Sequence, residues 1–480
     1  MNSANATFLL AVLLAIMQGC KKDNTPNPYQ EVNDWILDNM KLVYLWNTHI
    51  PSKTNKTQKP DVYFESLKYK DDRYSFIHDN FMELIGSLTG INIEAGYEFD
   101  LASIKNSSDI FGYITYIKPG TPAESAGLKR GDFFLEINNT QMTVSNYRTL
   151  LQEMSKPHTL RLAKIEENKI YPTNNVSIPA VIPYKENPIL LDTIYNIKDK
   201  KIGYFVYNFF ARDSEDLGIA YEKELNNLFG NFISKGIDEL IVDLRYNMGG
   251  TVISALALAS MISNRSSTDI FGYEEYNSIL NLYFASMYGA DHNIMYFLDH
   301  IERINKNDII VEQVPINKLS ELNRVYIIVS GQSASASELL INGLRPYMGN
   351  DNVVLIGETT VGKNVGSTII YEDDPVKQKK NTWGMLPIIV KLSNSQHFSD
   401  YANGFKPNVE IHEFELEMKP LGDTDELLLS TTLDIIFGTY TPQSKNVRTR
   451  VEIINSSRDR IPARQNMYID LFHKRIPNHY

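Results

Sequence analysis

Val325-Tyr326-Ile327-Ile328-Val329-Ser330-Gly331-Gln332-Ser333-Ala334-Ser335-Ala336-Ser337-Glu338 opens the stretch that decides this fold, which runs on to Gly366. The first five residues form an apolar run with the length and β-branched content of a buried strand. Small residues then make a turn. A helical pattern follows, with Leu339, Leu340, Leu344 and Met348 on one face and Gly349-Asn350-Asp351-Asn352 at its end. A second apolar run, Val353-Val354-Leu355-Ile356, leads into Gly357-Glu358-Thr359-Thr360-Val361-Gly362-Lys363-Asn364-Val365-Gly366. Strand, turn and helix put a hydroxyl at a helix N-terminus, where unpaired N–H groups and the dipole favour developing negative charge. The second strand delivers one lysine in a glycine-rich loop. A serine nucleophile needs a proton acceptor, and a lysine held neutral can serve.

Each half also has a plainer reading. Ser335 and Glu338 fit the Ser-x-x-Glu capping box, and a lysine in a glycine-rich loop is usually solvated. Gly357 to Lys363 is spaced like a phosphate loop, but Asn364 stands where Ser or Thr is required and no helix pattern follows. A third stretch shifts the balance: Asp243-Leu244-Arg245-Tyr246-Asn247-Met248-Gly249-Gly250. Together the three motifs resemble the S41 family of serine peptidases, the carboxyl-terminal-processing or tail-specific proteases. The resemblance covers about Asp34 to Gly438. It implies Ser335 as nucleophile and Lys363 as general base, with the N–H groups of Ala336 and Gly249 as the oxyanion hole. Many relatives carry a glutamine four residues after the lysine; here that position is Ser367, which leaves the orienting partner open.

At 480 residues the chain exceeds one ordinary core, so several domains are expected. A hydrophobic fraction of 43% and a charged fraction of 22% are those of a soluble globular protein. The net charge of −11 argues against a nucleic-acid partner. Cys20 is the one cysteine, so no intrachain disulfide or cysteine-based metal site can form. It follows Ala6 to Met17, an apolar stretch too short to span a bilayer, and Met17-Gln18-Gly19-Cys20 resembles a bacterial lipobox. Residues 1–20 are therefore read as a lipoprotein signal peptide with lipidation at Cys20, and 21–33 as a polar tether. The expected location is exported and lipid-anchored to the outer membrane, facing the periplasm or the cell surface.

The fold class expected is multidomain α/β. Residues 34–85 are read as a small helical N-terminal domain, similar to one in Bacteroidetes-type members of the family, with helices over Asp34 to Asn47 and Val62 to Leu67. Residues 86–168 resemble a PDZ domain, β-rich, with strands at Ile110 to Ile117 and Phe134 to Ile137 and a groove helix at Val144 to Met154. Its Gly96-Tyr97-Glu98-Phe99 sits where PDZ domains place a carboxylate-binding loop, so these four residues are the candidate peptide-binding residues. Glu166 to Lys200 reads as a polar, proline-spotted connector. Residues 185–440 are the S41 domain, a crossover sheet with strands at Ile202 to Tyr207 and Leu240 to Leu244 and helices at Asp216 to Ile233 and Val252 to Ile262. Asp243 and Arg245 are read as a buried structural pair. The aromatic-rich stretch Thr268 to Asn323 lines a channel or packs as a lid. A final amphipathic helix spans Thr424 to Phe437, and 441–480 is a basic tail of no assigned role.

The chemistry this implies is endopeptidase cleavage by a Ser-Lys dyad, of unfolded or C-terminally tagged polypeptides recognised through the PDZ domain. No cofactor is called for, and no metal-ligand spacing such as His-Glu-x-x-His occurs. Partners are polypeptide substrates and, through the lipid anchor, a membrane; no signal sets an oligomeric state. Half-neutrality of Lys363 at pH 7 needs a pKa depression of about 3 units, on the order of 4 kcal/mol, which burial can supply and exposure cannot. The rival chemistry is a Ser-His-Asp triad, for which His397 is the histidine to check. The rival class is a non-catalytic PDZ-bearing lipoprotein that captures C-terminal peptides.

Overall fold

The computed structural model describes residues 27–104, 110–166, 169–213, 217–305, 307, 309–442 and 451–460. The expected signal peptide, Cys20 and residues 21–26 of the expected tether lie outside them.

The centre of the molecule is a six-stranded sheet in the order Ile189–Ile197, Lys200–Tyr207, Glu239–Asp243, Val325–Val329, Val353–Gly357, Val409–Glu410. The first pair is antiparallel and every later pair is parallel. Its short apolar strands are buried on both faces, and their residues alternate between two cores. Phe205, Val242, Ile327 and Leu355 point into a core with the helices Ala220–Lys235, Val252–Ile262 and Ala336–Met348. Tyr204, Ile241, Ile328 and Ile356 point into a second core closed by Leu427–Ile436. This is the near-continuous hydrophobic strand pattern of a covered parallel sheet.

The parallel register puts the C-terminal ends of three adjacent strands side by side: Asp243 opposite Ile328, and Val329 opposite Gly357. Each of the three sequence motifs leaves the sheet at that shared edge, which is where open α/β sheets place their ligand crevice.

A second sheet, of the expected PDZ-like region, runs Val451–Ser456, Tyr97–Ile104, Ile110–Ile117, Phe133–Ile137, His158–Glu166, Lys169–Ile178. Tyr147–Glu153 packs on one face through Tyr147 and Leu151. Phe414 and Met418, from the loop after the last strand of the central sheet, cover the other. The N-terminal helices Gln30–Val43 and Pro60–Leu67 share one core with Val365, Met385 and Ile388, and Phe76–His78 pairs with Gly384–Leu386. The helical N-terminus is thus built into the α/β domain.

Two expectations need correction. Glu166 to Lys200 is no connector: Lys169–Ile178 pairs with His158–Glu166, Ile182–Lys185 with Ile91–Glu94, and Ile189–Ile197 with Lys200–Tyr207. Most of its residues are half-exposed or exposed, so antiparallel pairing tolerates the polar composition that looked like a linker. The PDZ-like sheet also reaches beyond the 86–168 expected of it: Val451–Ser456, from the tail left without an assigned role, joins it. The aromatic stretch packs: Phe271, Tyr276, Phe284 and Phe297 are in the main core.

Candidate active site

The turn from Ser330 to Ser337 carries four serines, all buried. Three are spent on the neighbouring loop. Ser330 Oγ donates to the Arg245 carbonyl, Ser333 Oγ to Leu244 O at 2.8 Å, and Ser337 Oγ to Asn247 O at 3.0 Å. Ser335 Oγ is buried and has no hydrogen-bond partner. Its backbone sits at φ 65° and ψ −114°, at the N-cap of Ala336–Met348. A non-glycine residue held there costs on the order of 1–3 kcal/mol and persists only where its surroundings force it. The serines of the motif are therefore not equivalent. Three fasten the turn, and the fourth is strained and left unengaged at a helix N-terminus.

Glu338 is what fastens the lysine loop to that turn. Its spacing from Ser335 predicts a capping-box partner, and the Ser335 N–H does donate to Glu338 Oε2 at 2.8 Å. The same oxygen accepts the Lys363 N–H at 2.7 Å. Oε1 accepts the Gly362 N–H at 2.6 Å and the Thr360 hydroxyl at 2.5 Å. One carboxylate thus bridges the backbones of Ser335 and Lys363, although burial pushes its own pKa up against those four donors. Gly362 is required here: its φ is 90°, and a Cβ would stand 2.3 Å from Ala402 O.

Lys363 is fully buried. Burial depresses its pKa to about 7, against the opposing pull of Asp72 and Glu338. Its Nζ lies 4.9 Å from the centre of the Tyr74 ring, and the Tyr74 hydroxyl donates to Gly362 O at 3.3 Å. Tyr74 comes from the N-terminal region, and no periodicity or motif marks it in the sequence. Ser367 Oγ is buried without a hydrogen-bond partner on the strand Val365–Ser367.

The Asp243–Gly250 loop closes the third side. Arg245 is fully buried, with Nη2 at 2.7 Å from Asp243 Oδ2 and Nη1 at 2.6 Å from Glu426 Oε1, so the pair is structural. Arg130 from the PDZ-like region reaches the same Glu426 and Glu413. Gly249 lies against Ser335: a Cβ there would stand 2.6 Å from Ser335 Cβ and 2.8 Å from its Oγ. Its N–H donates to Asn247 Oδ1 at 2.9 Å in this structure, so this expected oxyanion donor is engaged within its own loop. Ala336 is the first residue of the helix, where N–H groups have no intrahelical acceptor.

These elements, together with the matches that follow, decide the family. Residues 201–410 match the description "Peptidase family S41", 31–76 "Peptidase S41 N-terminal domain" and 113–164 "PDZ domain". The chain belongs to peptidase family S41. It is 24% identical over 335 residues to the carboxy-terminal processing protease CtpA of Bacillus subtilis, a match spanning 70% of this chain and 60% of that protein. It is 21% identical over 357 residues to a carboxyl-terminal-processing protease of Picosynechococcus, covering 73% and 71% respectively. A crystal structure assigned to the S41 proteases, from Bacteroides fragilis, superposes with a TM-score of 0.65 at 26% identity, covering 85% of this chain and 98% of that one.

The other predicted residues fall differently. His397 is exposed and stacks on Tyr273 at 4.1 Å. Because Ser335 Oγ has no hydrogen-bond partner, no histidine among the described residues pairs with it. In the PDZ domain the side chains proposed to bind peptide are used internally. Tyr97 shares a 2.7 Å hydrogen bond with His158 Nε2, Glu98 lies 2.8 Å from Lys118 Nζ, and Phe99 is in the core. What those positions offer a ligand is backbone.

A cavity of about 270 Å³ flanks the nucleophile turn. Tyr74, Met248, Ala334 and Val361 line one side, and Ile453 and Asn455 of the C-terminal strand line the other.

Proposed function

We propose that this S41 protein is a serine endopeptidase working through a Ser335–Lys363 dyad. The observation that carries the reading is Glu338 tying an unengaged, strained serine to a lysine whose pKa burial lowers to about 7. Ser335 Oγ attacks a substrate carbonyl carbon while its proton passes to neutral Lys363 Nζ. The tetrahedral oxyanion is held by the Ala336 N–H and by the Gly249 N–H once it leaves Asn247 Oδ1. Collapse breaks the peptide bond, and the Lys363 ammonium returns the proton to the leaving amine. Water, deprotonated by the same lysine, then attacks the acyl carbon; the bond to Ser335 Oγ breaks and that oxygen takes the proton back from Lys363, freeing the carboxylic acid.

The substrates in this reading are unfolded or C-terminally tagged polypeptides, presented by the PDZ domain through strand addition. Cys20 is the proposed lipidation site, placing the enzyme on a membrane after export; the mass of the mature N-terminus tests this. The test of the chemistry is cleavage of an unfolded protein by the parent, Ser335→Ala and Lys363→Ala. Loss in both variants supports the dyad, and equal cleavage by all three rejects it. Absence of cleavage by the parent together with tight capture of C-terminal peptides favours the binding-module reading.

A further inference from the structure

The free edge of a PDZ sheet is where a peptide ligand adds as an antiparallel strand. In this chain that edge is filled. Val451–Ser456 pairs antiparallel with Tyr97–Ile104, in a register that sets Val451 opposite Ile104, Ile453 opposite Ala102 and Ser456 opposite Asp100. The segment therefore runs toward Gly96-Tyr97-Glu98-Phe99, the direction in which a C-terminal ligand would present its carboxylate. Ile454 packs on the PDZ core that contains Phe99, Leu101, Tyr147 and Leu151. At the end of the strand Ser457 Oγ accepts the Phe99 N–H at 2.9 Å and donates to Glu98 Oε2 at 2.5 Å. A side-chain oxygen of the chain itself thus occupies a backbone donor of the carboxylate-binding loop.

Arg458 then ties the segment to the catalytic turn. It is buried, with Nη2 2.9 Å from Asp100 Oδ1, Nη1 donating to Thr115 Oγ1 at 3.1 Å and Nε donating to Gln332 Oε1 at 2.5 Å. Gln332 lies three residues before Ser335. Ile453 and Asn455 meanwhile wall the cavity beside the nucleophile.

We propose that residues 451–458 are a built-in ligand of the PDZ groove, which the C-terminal tail of a substrate must displace before it is held there. The proposal rests on the reading that the PDZ domain recognises C-terminal peptides. A resident strand lowers the apparent affinity of an incoming peptide by the fraction of time the groove stands open. Its departure would also remove one wall of the cavity at Ser335.

The test uses a dye-labelled ten-residue peptide ending in Val-Ala-Leu with a free carboxylate, its amidated counterpart as control, and Ser335→Ala as background. Ile454→Asp in the full chain replaces the apolar contact of the strand with a charge; a chain ended after Tyr440 removes the strand altogether. Both are expected to bind the free-carboxylate peptide roughly tenfold tighter than the parent, and a synthetic 449–460 peptide added to the shortened chain should compete it off. In the Ser335 background that cleaves, Ile454→Asp should lower KM for a substrate with that tail by a similar factor, with kcat changed less than about twofold. Equal affinity in all three proteins would overturn the built-in ligand and leave peptide recognition standing. Binding lost in both altered chains would overturn it too, making the strand part of the groove. No binding by any of them would fail the PDZ reading and take the proposal with it.

Discussion

Lys118 and Lys363 are both fully buried, yet they sit in opposite company. Lys118, at the start of the PDZ turn, has Glu94 at 2.6 Å, Glu98 at 2.8 Å and Glu186 at 3.0 Å. Three carboxylates around one ammonium make a structural node joining strands from different parts of the chain. Around Lys363 the desolvation cost outweighs the attraction of Asp72 and Glu338, and the amine sits near the edge of neutrality. Glu338, the carboxylate that could have held it charged, spends its oxygens on four other donors. Burial alone does not make a base; burial whose cost exceeds the pull of the charges nearby does.

The sharpest way to break that contrast is catalytic. Ser335→Ala, Lys363→Ala and Lys363→Arg should each lower kcat/KM on an unfolded protein by about a thousandfold or more, because arginine cannot surrender its proton. Glu338→Gln should follow with a loss of roughly ten- to a hundredfold, since an amide has one acceptor oxygen and its NH₂ would face N–H donors.

Stability supplies the next test, and the two lysines should move in opposite directions. Lys118→Met strands the buried carboxylates of Glu98 and Glu186 and the half-buried one of Glu94, and should cost roughly 3–5 kcal/mol in denaturant unfolding. Lys363→Met removes a buried amine whose desolvation outweighs the pull of Asp72 and Glu338. A folded pKa of about 7 lies below the unfolded value, so between the two the unfolded chain binds more protons and stability rises with pH. Below about pH 7 both states are charged and the full burial penalty applies, so the methionine variant should be the more stable there, by on the order of a few kcal/mol. That advantage should fade as pH climbs toward the unfolded pKa. Losses of the same sign in both variants would end the comparison.

The pH profile gives a smaller effect: kcat/KM should rise tenfold per unit below about pH 7 and level off above it, as Lys363 becomes neutral. The smallest expected change is in His397→Ala, which should leave kcat/KM within about twofold; a large loss would revive the triad.

The parts of this fold legible in sequence are those where local pattern and tertiary role agree. Val325–Val329 and Val353–Gly357 are short apolar runs because they are covered on both faces, and Val252–Ile262 is helical over the span its pattern predicted. Ser335 and Lys363, the proposed pair, stand in motifs visible in the sequence. Glu338 was half legible: its spacing announces a cap, but its second bridge, to a loop some 25 positions away, leaves no local trace. Tyr74 and Arg458 were invisible for the same reason, since each reaches the site through a pairing distant in sequence. The strands from Lys169 to Ile197 were missed because exposed antiparallel strands carry polar residues and prolines without penalty at their edges.

The bridge through Glu338 has an outcome for the life of the molecule as well as for its rate. Because a single side chain bridges both members of the proposed dyad, a nascent, heat-damaged or clipped copy is expected to lose its chemistry in the same event that loosens its architecture. On the proposed mechanism the protein is silent until assembled and silent again once its fold is spoiled.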